Sequence, residues 1–189
     1  ERVRDVSSTQ EARAHPPRHP PVMAVFIGGD TLHYELTQAF ASALIGQVKT
    51  VCEALDGWCL VTTSRRTPPA VEQLLSEQLG RYPRCRLLLL ATNDPLDGTM
   101  EGMVGASDVI VVTGESISMV SEACASGRGV VVVEPPLRQA ARSMLTKHRR
   151  FLQGLTREGY VRMAAVPEAS LAIQQVLNEF MAIHGRSIF

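Results

Sequence analysis

Two arginines and four hydroxyl side chains lie together in the stretch 62–68 (TTSRRTP). A guanidinium group can bind phosphate oxygens through two parallel hydrogen bonds. The stretch follows an apolar run, and Thr67 before Pro68 predicts a helix that begins there and adds partial positive charge. The pattern favours an anion site over simple capping and surface charge, and its candidate residues are Thr63, Ser64, Arg65 and Arg66.

A second candidate follows the apolar run 109–112, in the segment 113–123 (TGESISMVSEA). Ser116 and Ser118 stand where a helix N-cap belongs, so their hydroxyls and the free N–H groups of the helix could surround a diphosphate. Glu122, one turn further on, could accept hydrogen bonds from ribose hydroxyls. Glu115 could contact a ligand or act as a catalytic base. The alternatives are capping for the serines, a favourable helix-dipole contact for Glu122 and an exposed turn position for Glu115.

Two further turns are weaker candidates. Gly28, Gly29 and Asp30 follow the apolar run 22–27, where glycine lets the backbone approach a ligand, although no GxGxxG dinucleotide motif is present. The alternative is a tight turn that needs glycine. Asn93 follows the run 86–91 and could form one wall of a nucleobase pocket or belong to an ordinary turn.

Composition narrows the class of protein. The chain has 189 residues, 45% apolar and 20% charged, with a formal net charge of zero, which indicates a globular protein and disfavours a nucleic-acid partner. The four cysteines lack zinc-ligand spacing and are interpreted as reduced thiols. The sequence contains no metal-ligand set, no Ser-His-Asp arrangement and no apolar run of membrane-spanning length. We therefore expect no metal and no transmembrane segment.

Apolar runs and helical periodicity alternate about six times after a proline-rich segment, 1–21, which is interpreted as a flexible linker or tail. The predicted strands are 22–27, 58–62, 86–91, 108–112, 130–133 and 160–163. The predicted helices begin near Leu32, Pro68, Asp97, Ser118, Leu137 and Pro167. This alternation predicts an α/β fold with a mainly parallel sheet of about six strands between two helical layers, over 22–189. Ligands of such sheets bind at the carboxyl ends of the strands.

The same periodicity predicts the positions of two further groups of residues on helices. His33 and Tyr34 fall in the first turn of the helix predicted from Leu32, where they could line a pocket or stand at a partly exposed helix start. The basic stretch 147–150 (KHRR) is interpreted as a solvated face of the helix predicted from Leu137.

The motifs TSRRTP and SISMVSEA, with VFIGGD before them, resemble the ELM1 (mitochondrial fission ELM1-like) family, named for a plant mitochondrial fission factor and widespread in bacteria. The resemblance spans residues 22–159. Glu115 stands where the family pattern has aspartate, and the carboxylate is retained. The chain resembles the C-terminal half of such a protein, which implies an upstream N-terminal domain.

More distantly, the family resembles GT-B glycosyltransferases, whose C-terminal halves are Rossmann-like and bind nucleotide-sugars. This resemblance implies a nucleoside-diphosphate-sugar-binding domain of a metal-independent glycosyltransferase, without a separate cofactor. It places Gly28 and Gly29 beside the diphosphate, Arg65 or Arg66 on a phosphate, and Glu122 on the ribose. Ser116, Ser118 and Met119 would line the donor pocket.

Two other readings stay open: a non-catalytic GT-B-derived scaffold in membrane or organelle fission, and a nucleotide-sugar epimerase. The bacterial relatives imply a cytoplasmic protein, with peripheral membrane association as an option.

Overall fold

Six apolar runs form one parallel sheet in the computed structural model, which describes residues 20–92, 98–139 and 146–184. The spatial order is β3-β2-β1-β4-β5-β6. In chain order the strands are β1 (Val22–Ile27), β2 (Trp58–Thr63), β3 (Cys85–Leu89), β4 (Val109–Thr113), β5 (Gly129–Val133) and β6 (Arg162–Ala164). The Rossmann-like α/β architecture predicted from the alternating pattern is therefore confirmed.

Helices cover both faces of the sheet. In chain order they are α1 (Gln38–Ala54), α2 (Pro69–Leu79), α3 (Thr99–Gly105), α4 (Ile117–Ala125), α5 (Thr146–Arg157) and α6 (Ala169–His184), with a 3-10 turn at Val166–Glu168 before α6. None of the helices in these described ranges is long and apolar enough to cross a bilayer.

The core lies in two layers because successive side chains of a strand point to opposite faces. Met23, Val25 and Ile27 of β1 join the cluster formed with α1, α2 and α6. Ala24 and Phe26 join the cluster formed with α3, α4 and α5. Burial on both faces explains why the central strands are continuous apolar runs and not alternating ones.

From β1 the chain adds β2 and β3 on one side of β1. It then returns to add β4, β5 and β6 on the other side, so the direction in which strands are added reverses between β1 and β4. Such a switch point opens a crevice at the carboxyl ends of the strands. The segments that meet there follow β1, β2 and β4.

The first helix begins later than the periodicity predicts. Residues 31–36 form a loop, Leu32 is 80% exposed, and α1 begins after Thr37, whose Oγ1 accepts the N–H of Phe40 at 3.1 Å. The predicted start at Leu32 was wrong because polar side chains hold the preceding loop. The Asp30 carboxylate accepts the N–H of Leu36 at 2.8 Å, and the Thr31 hydroxyl accepts the N–H of Tyr34 at 3.0 Å.

Two other predicted helix starts were also wrong. Pro68, not Thr67, is the N-cap of α2, and Pro69 is the first helical residue. The Thr67 hydroxyl donates instead to the carbonyl oxygen of Gly28. Leu137 forms an isolated antiparallel bridge with Tyr34, outside α5. Asn93 lies outside the described residues, so its predicted role stays a prediction.

Candidate functional site

Glu115 joins the ends of β1 and β4 at the switch point. It is the second residue after β4, is only 5% exposed, and folds its side chain over Gly28. The Thr113 hydroxyl donates to Oε1 of Glu115 at 3.1 Å and accepts the N–H of Gly28 at 2.8 Å. The turn after β4 is thus hydrogen-bonded to the turn after β1. Glu115 is therefore buried, and the alternative of an exposed turn position was wrong.

The environment of Glu115 favours its protonated form. Burial raises the pKa of this carboxyl, and hydrogen bonds from backbone N–H groups and from the Thr113 hydroxyl, with the positive charge of Arg66, lower it in part. The second oxygen, Oε2, is buried and has no hydrogen-bond partner among the described residues. An unsatisfied buried oxygen is costly, so this carboxyl is well suited to bind or donate a proton when a ligand arrives.

The loop between β2 and α2 packs over the first turn. The carbonyl oxygen of Arg66 accepts the N–H of Asp30 at 3.1 Å. An ideal β-carbon at Gly29 would lie 2.1 Å from the carbonyl atoms of Arg66, and one at Gly28 would lie 1.7 Å from Oε1 of Glu115. The side-chain positions of both glycines are therefore filled by protein, which explains why glycine is needed there without any ligand.

The two arginines of this loop are exposed cations. Within the described ranges, no side chain forms an ion pair or a hydrogen bond with the guanidinium group of Arg65 or Arg66. The Ser64 hydroxyl accepts the N–H of Arg66 at 3.2 Å. Thr63, in contrast, is engaged inside the fold, since its hydroxyl donates to Glu72 at 2.5 Å and accepts the N–H of Ala91 at 2.8 Å.

The N-terminus of α4 has a serine that does not cap it. Ser116 is the N-cap residue and is 3% exposed, yet its side chain makes no capping hydrogen bond. Its hydroxyl lies 3.4 Å from that of Ser118, which is exposed. Since the first N–H groups of a helix lack intrahelical partners, both hydroxyls and this helix end can bind an anion.

The remaining predicted residues separate into an exposed and a structural group. Glu122 is exposed on α4. Met119 is 7% exposed and packs in the core between α4 and the sheet. Asp30 forms an ion pair with Arg138 at 2.9 Å in addition to its bond with Leu36, so it organises the loop after β1.

Three residues outside the predicted phosphate-binding set, Tyr34, Glu134 and His148, lie beside this site, and Glu134 is the one that the sequence analysis did not name. Tyr34 is 2% exposed and its hydroxyl donates to Oε1 of Glu134 at 2.5 Å. Burial and the Glu134 carboxylate both raise the pKa of Tyr34. Nε2 of His148 lies 2.6 Å from the carbonyl oxygen of Gly114, and the His148 ring is 5.2 Å from that of Tyr34. His148 therefore contacts the turn after β4 and is not part of a solvated face.

A signal for this group exists in the sequence. Glu134 directly follows β5 and Tyr34 lies in the segment after β1, so both belong to the edge where the carboxyl ends of the strands meet. His148 could not be placed because its contact depends on how α5 docks. In the described part of the chain, no group of three or more His, Cys, Asp or Glu residues is arranged to hold a metal ion.

Solved structures with similar folds share little sequence with this chain. A candidate UDP-N-acetylglucosamine 2-epimerase from Listeria monocytogenes is 14% identical with a TM-score of 0.50, covering 87% of this chain and 36% of that one. The FMN-dependent cysteine decarboxylase TvaF from thioviridamide biosynthesis is 17% identical with a TM-score of 0.50, covering 86% and 98%. At these identities the likeness concerns the fold alone.

Sequence comparison is more specific. The mitochondrial fission protein ELM1 of Arabidopsis thaliana is 29% identical over 113 residues, which cover 60% of this chain and 25% of that protein. The match thus spans about a quarter of this curated relative. A family model described as "Mitochondrial fission ELM1" matches residues 2–183. The chain therefore belongs to the mitochondrial fission ELM1 family, as its motifs predict.

Proposed function

We propose that the carboxyl ends of β1, β2 and β4 bind the diphosphate of a nucleoside-diphosphate sugar, and that the chain is the nucleotide-sugar-binding domain of a GT-B-like glycosyltransferase. The observation that supports this most is the combination of a helix N-terminus at Ser116 without a side-chain cap and a guanidinium group, on Arg66, that has no side-chain partner among the described residues. Both lie beside the buried carboxyl of Glu115.

The charges suit a diphosphate. The carbonyl oxygen of Arg66 accepts the N–H of Asp30 at 3.1 Å, so the loop that carries Arg66 lies against the turn after β1 at the switch point, and the positive charge of Arg66 lowers the pKa of Glu115. A guanidinium group and a helix N-terminus together can neutralise the phosphates of a leaving nucleoside diphosphate without a metal ion. The hydroxyls of Ser116 and Ser118 would donate to phosphate oxygens. The exposed Glu122 would accept hydrogen bonds from the ribose.

Titration calorimetry of the chain with UDP, GDP, ADP and CMP tests this proposal. We expect at least one of them to bind, and Arg66→Gln to weaken that binding about tenfold, because a charge-assisted hydrogen bond to phosphate is lost. Arg81→Gln is the matched control. Arg81 is also exposed, but it lies between α2 and β3, at the opposite edge of the sheet, and should leave binding unchanged. Absence of binding to all four at millimolar concentration refutes the proposal.

The family description supports a second candidate, a non-catalytic scaffold in membrane or organelle fission. A scaffold would keep its cellular function in the variants Arg66→Gln and Glu122→Gln, since both positions are exposed and neither packs in the core. Loss of function in these variants with an unchanged melting temperature argues for the ligand site instead. A nucleotide-sugar epimerase, the activity in the name of the Listeria protein, would be distinguished by the reaction product in mass spectrometry.

A further inference from the structure

Apart from the candidate site at β1, β2 and β4, a cavity of about 520 Å³ lies beside the edge strand β6, between α5 and the residue that follows β5. Its lining includes Glu134, Arg149, Leu152, Thr156, Arg157 and Met163. The volume is in the range of small-molecule sites. A larger cavity, of about 610 Å³, lies at the amino end of β5, away from the edge where ligands of parallel sheets bind. The cavity under α5 is therefore the better candidate.

Glu134, an exposed residue of the lining, is held in place by a hydrogen bond. The buried hydroxyl of Tyr34 donates to its Oε1 at 2.5 Å, and its other oxygen has no donor among the described residues. The stem of Glu134 passes close to Gly114, since an ideal β-carbon there would lie 2.9 Å from Cγ of Glu134. An exposed carboxylate with one oxygen held and one free is an acceptor for a ligand hydroxyl.

The cations of the cavity come from α5, which has no acidic residue between positions 146 and 157. Arg149 has no side-chain partner in the part of the chain that the structure describes. Among the described residues, Arg157 pairs only with its neighbour Glu158, at 3.3 Å, and both side chains are largely exposed. A surface pair of this kind is weak, so a ligand anion can replace it.

The floor of the cavity is apolar. Leu152 is 3% exposed, and Met163 is half-buried against the same core cluster. The hydroxyl of Thr156 donates to the carbonyl oxygen of Leu152 at 2.8 Å, so toward a ligand it remains an acceptor. The lining thus combines two hydroxyl-binding acceptors, two guanidinium donors and an apolar surface suited to the C–H face of a sugar ring.

We propose that this cavity binds a monosaccharide bearing a phosphate or a carboxylate, with its ring hydroxyls on Glu134 and Thr156 and its anionic group on Arg149 and Arg157. Glu134 argues against a site for an inorganic anion such as phosphate, because its carboxylate repels a negative ligand that has no sugar hydroxyl to donate to it. The assignment of this sugar as the second substrate of a transferase rests on the proposed function, whereas the binding of the sugar to this cavity does not.

The test is a titration of the chain, followed by ¹H–¹⁵N spectra and calorimetry, with glucose 6-phosphate, glucuronate, glucose and inorganic phosphate. We expect one of the two charged sugars to bind, to shift the amide signals of residues 149–157, and to bind at least about fivefold more tightly than glucose or phosphate alone. Which charged sugar binds more tightly identifies the anionic group.

Variants locate the site. Arg149→Gln should weaken binding of the preferred sugar about tenfold, because a charge-assisted hydrogen bond is lost. Tyr34→Phe should weaken it as well, since Glu134 then loses the donor that holds it. Arg150→Gln is the matched control, because Arg150 is an exposed arginine on the same helix that does not line the cavity, and it should change the affinity less than twofold. Melting temperatures of all variants are compared so that a failure to fold is recognised.

The inference is overturned if phosphate binds as tightly as the charged sugars, or if Arg150→Gln costs as much affinity as Arg149→Gln. Absence of binding to both charged sugars also overturns it. Titrations of the same samples with UDP, GDP, ADP and CMP keep the two proposals separate. Binding of any of these nucleotides without sugar binding refutes only this site, and sugar binding without binding of any of the four refutes only the proposed nucleotide site.

Discussion

Oε1 of Glu115 lies 1.7 Å from the point where a β-carbon on Gly28 would stand. A residue after β4 thereby requires glycine after β1, although 87 positions separate the two in the sequence. The contact crosses the switch point of the sheet, so it ties the candidate site to the stability of the fold.

Gly28→Ala should therefore destabilise the protein by about 1–3 kcal/mol, because the added methyl group must displace a buried carboxyl. Gly46→Ala is the matched control. A β-carbon at Gly46 meets nothing within 4 Å, and alanine favours the α1 helix by up to about 1 kcal/mol. Urea unfolding measures both free energies. Equal effects of the two substitutions would contradict the packing described for Glu115.

The protonation of Glu115 should make stability depend on pH. Burial raises the pKa of Glu115 above its ordinary value of 4.5. In the pH interval between the pKa of the unfolded chain and that of the folded protein, the folded protein holds a proton that the unfolded chain has released. The free energy of unfolding should fall as pH rises through the interval and remain lower above it. We expect the melting temperature of the wild-type chain to fall relative to that of Glu115→Gln between pH 4 and pH 8. A difference that stays constant or rises over this range would refute the raised pKa, and Glu77→Gln, at an exposed position, is the control substitution.

The Thr113 hydroxyl bridges the two turns of the site, since it accepts from the N–H of Gly28 and donates to Glu115. Thr113→Val keeps the shape but leaves that buried N–H without its acceptor, which should cost about 1–3 kcal/mol. Thr113→Ser retains the hydroxyl and should recover most of this loss. The prediction fails if chemical denaturation finds the valine variant as stable as the serine variant.

The Asp30 side chain should stabilise the conformation of the loop after β1. Asp30→Ala removes the acceptor of the Leu36 N–H and the partner of Arg138, so amide exchange at Leu36 should accelerate by about tenfold. Arg138→Ala should have a smaller effect, because it removes a half-exposed ion pair and the hydrogen bond from Nε to the carbonyl oxygen of Thr31 but leaves the acceptor of the Leu36 N–H in place. Hydrogen exchange followed by mass spectrometry or NMR makes the comparison, and a larger effect of Arg138→Ala would reverse the roles assigned here.

Local errors in the predicted elements share one cause. Thr67 has the residue type and the position of a helix cap, but its hydroxyl bonds to Gly28, which lies 39 residues earlier. Leu32 continues the helical period of α1, yet it lies exposed in a loop that Asp30 and Thr31 hold. In both cases a hydrogen bond with another part of the backbone outweighed local propensity.

The sequence by itself determined the order of strands and helices, because an apolar run buried on both faces and a helical period are local properties. It also determined that the segments carrying Arg66 and Ser116, which follow β2 and β4, lie at one edge of the sheet, since parallel strands place their carboxyl ends together. Only the tertiary structure decided that Glu115 is buried over Gly28, that Ser116 does not cap α4, and that Tyr34 and His148 support Glu134 and Gly114. These contacts join residues far apart in the chain, and their geometry depends on how the turns and α5 pack at the switch point, which periodicity does not encode.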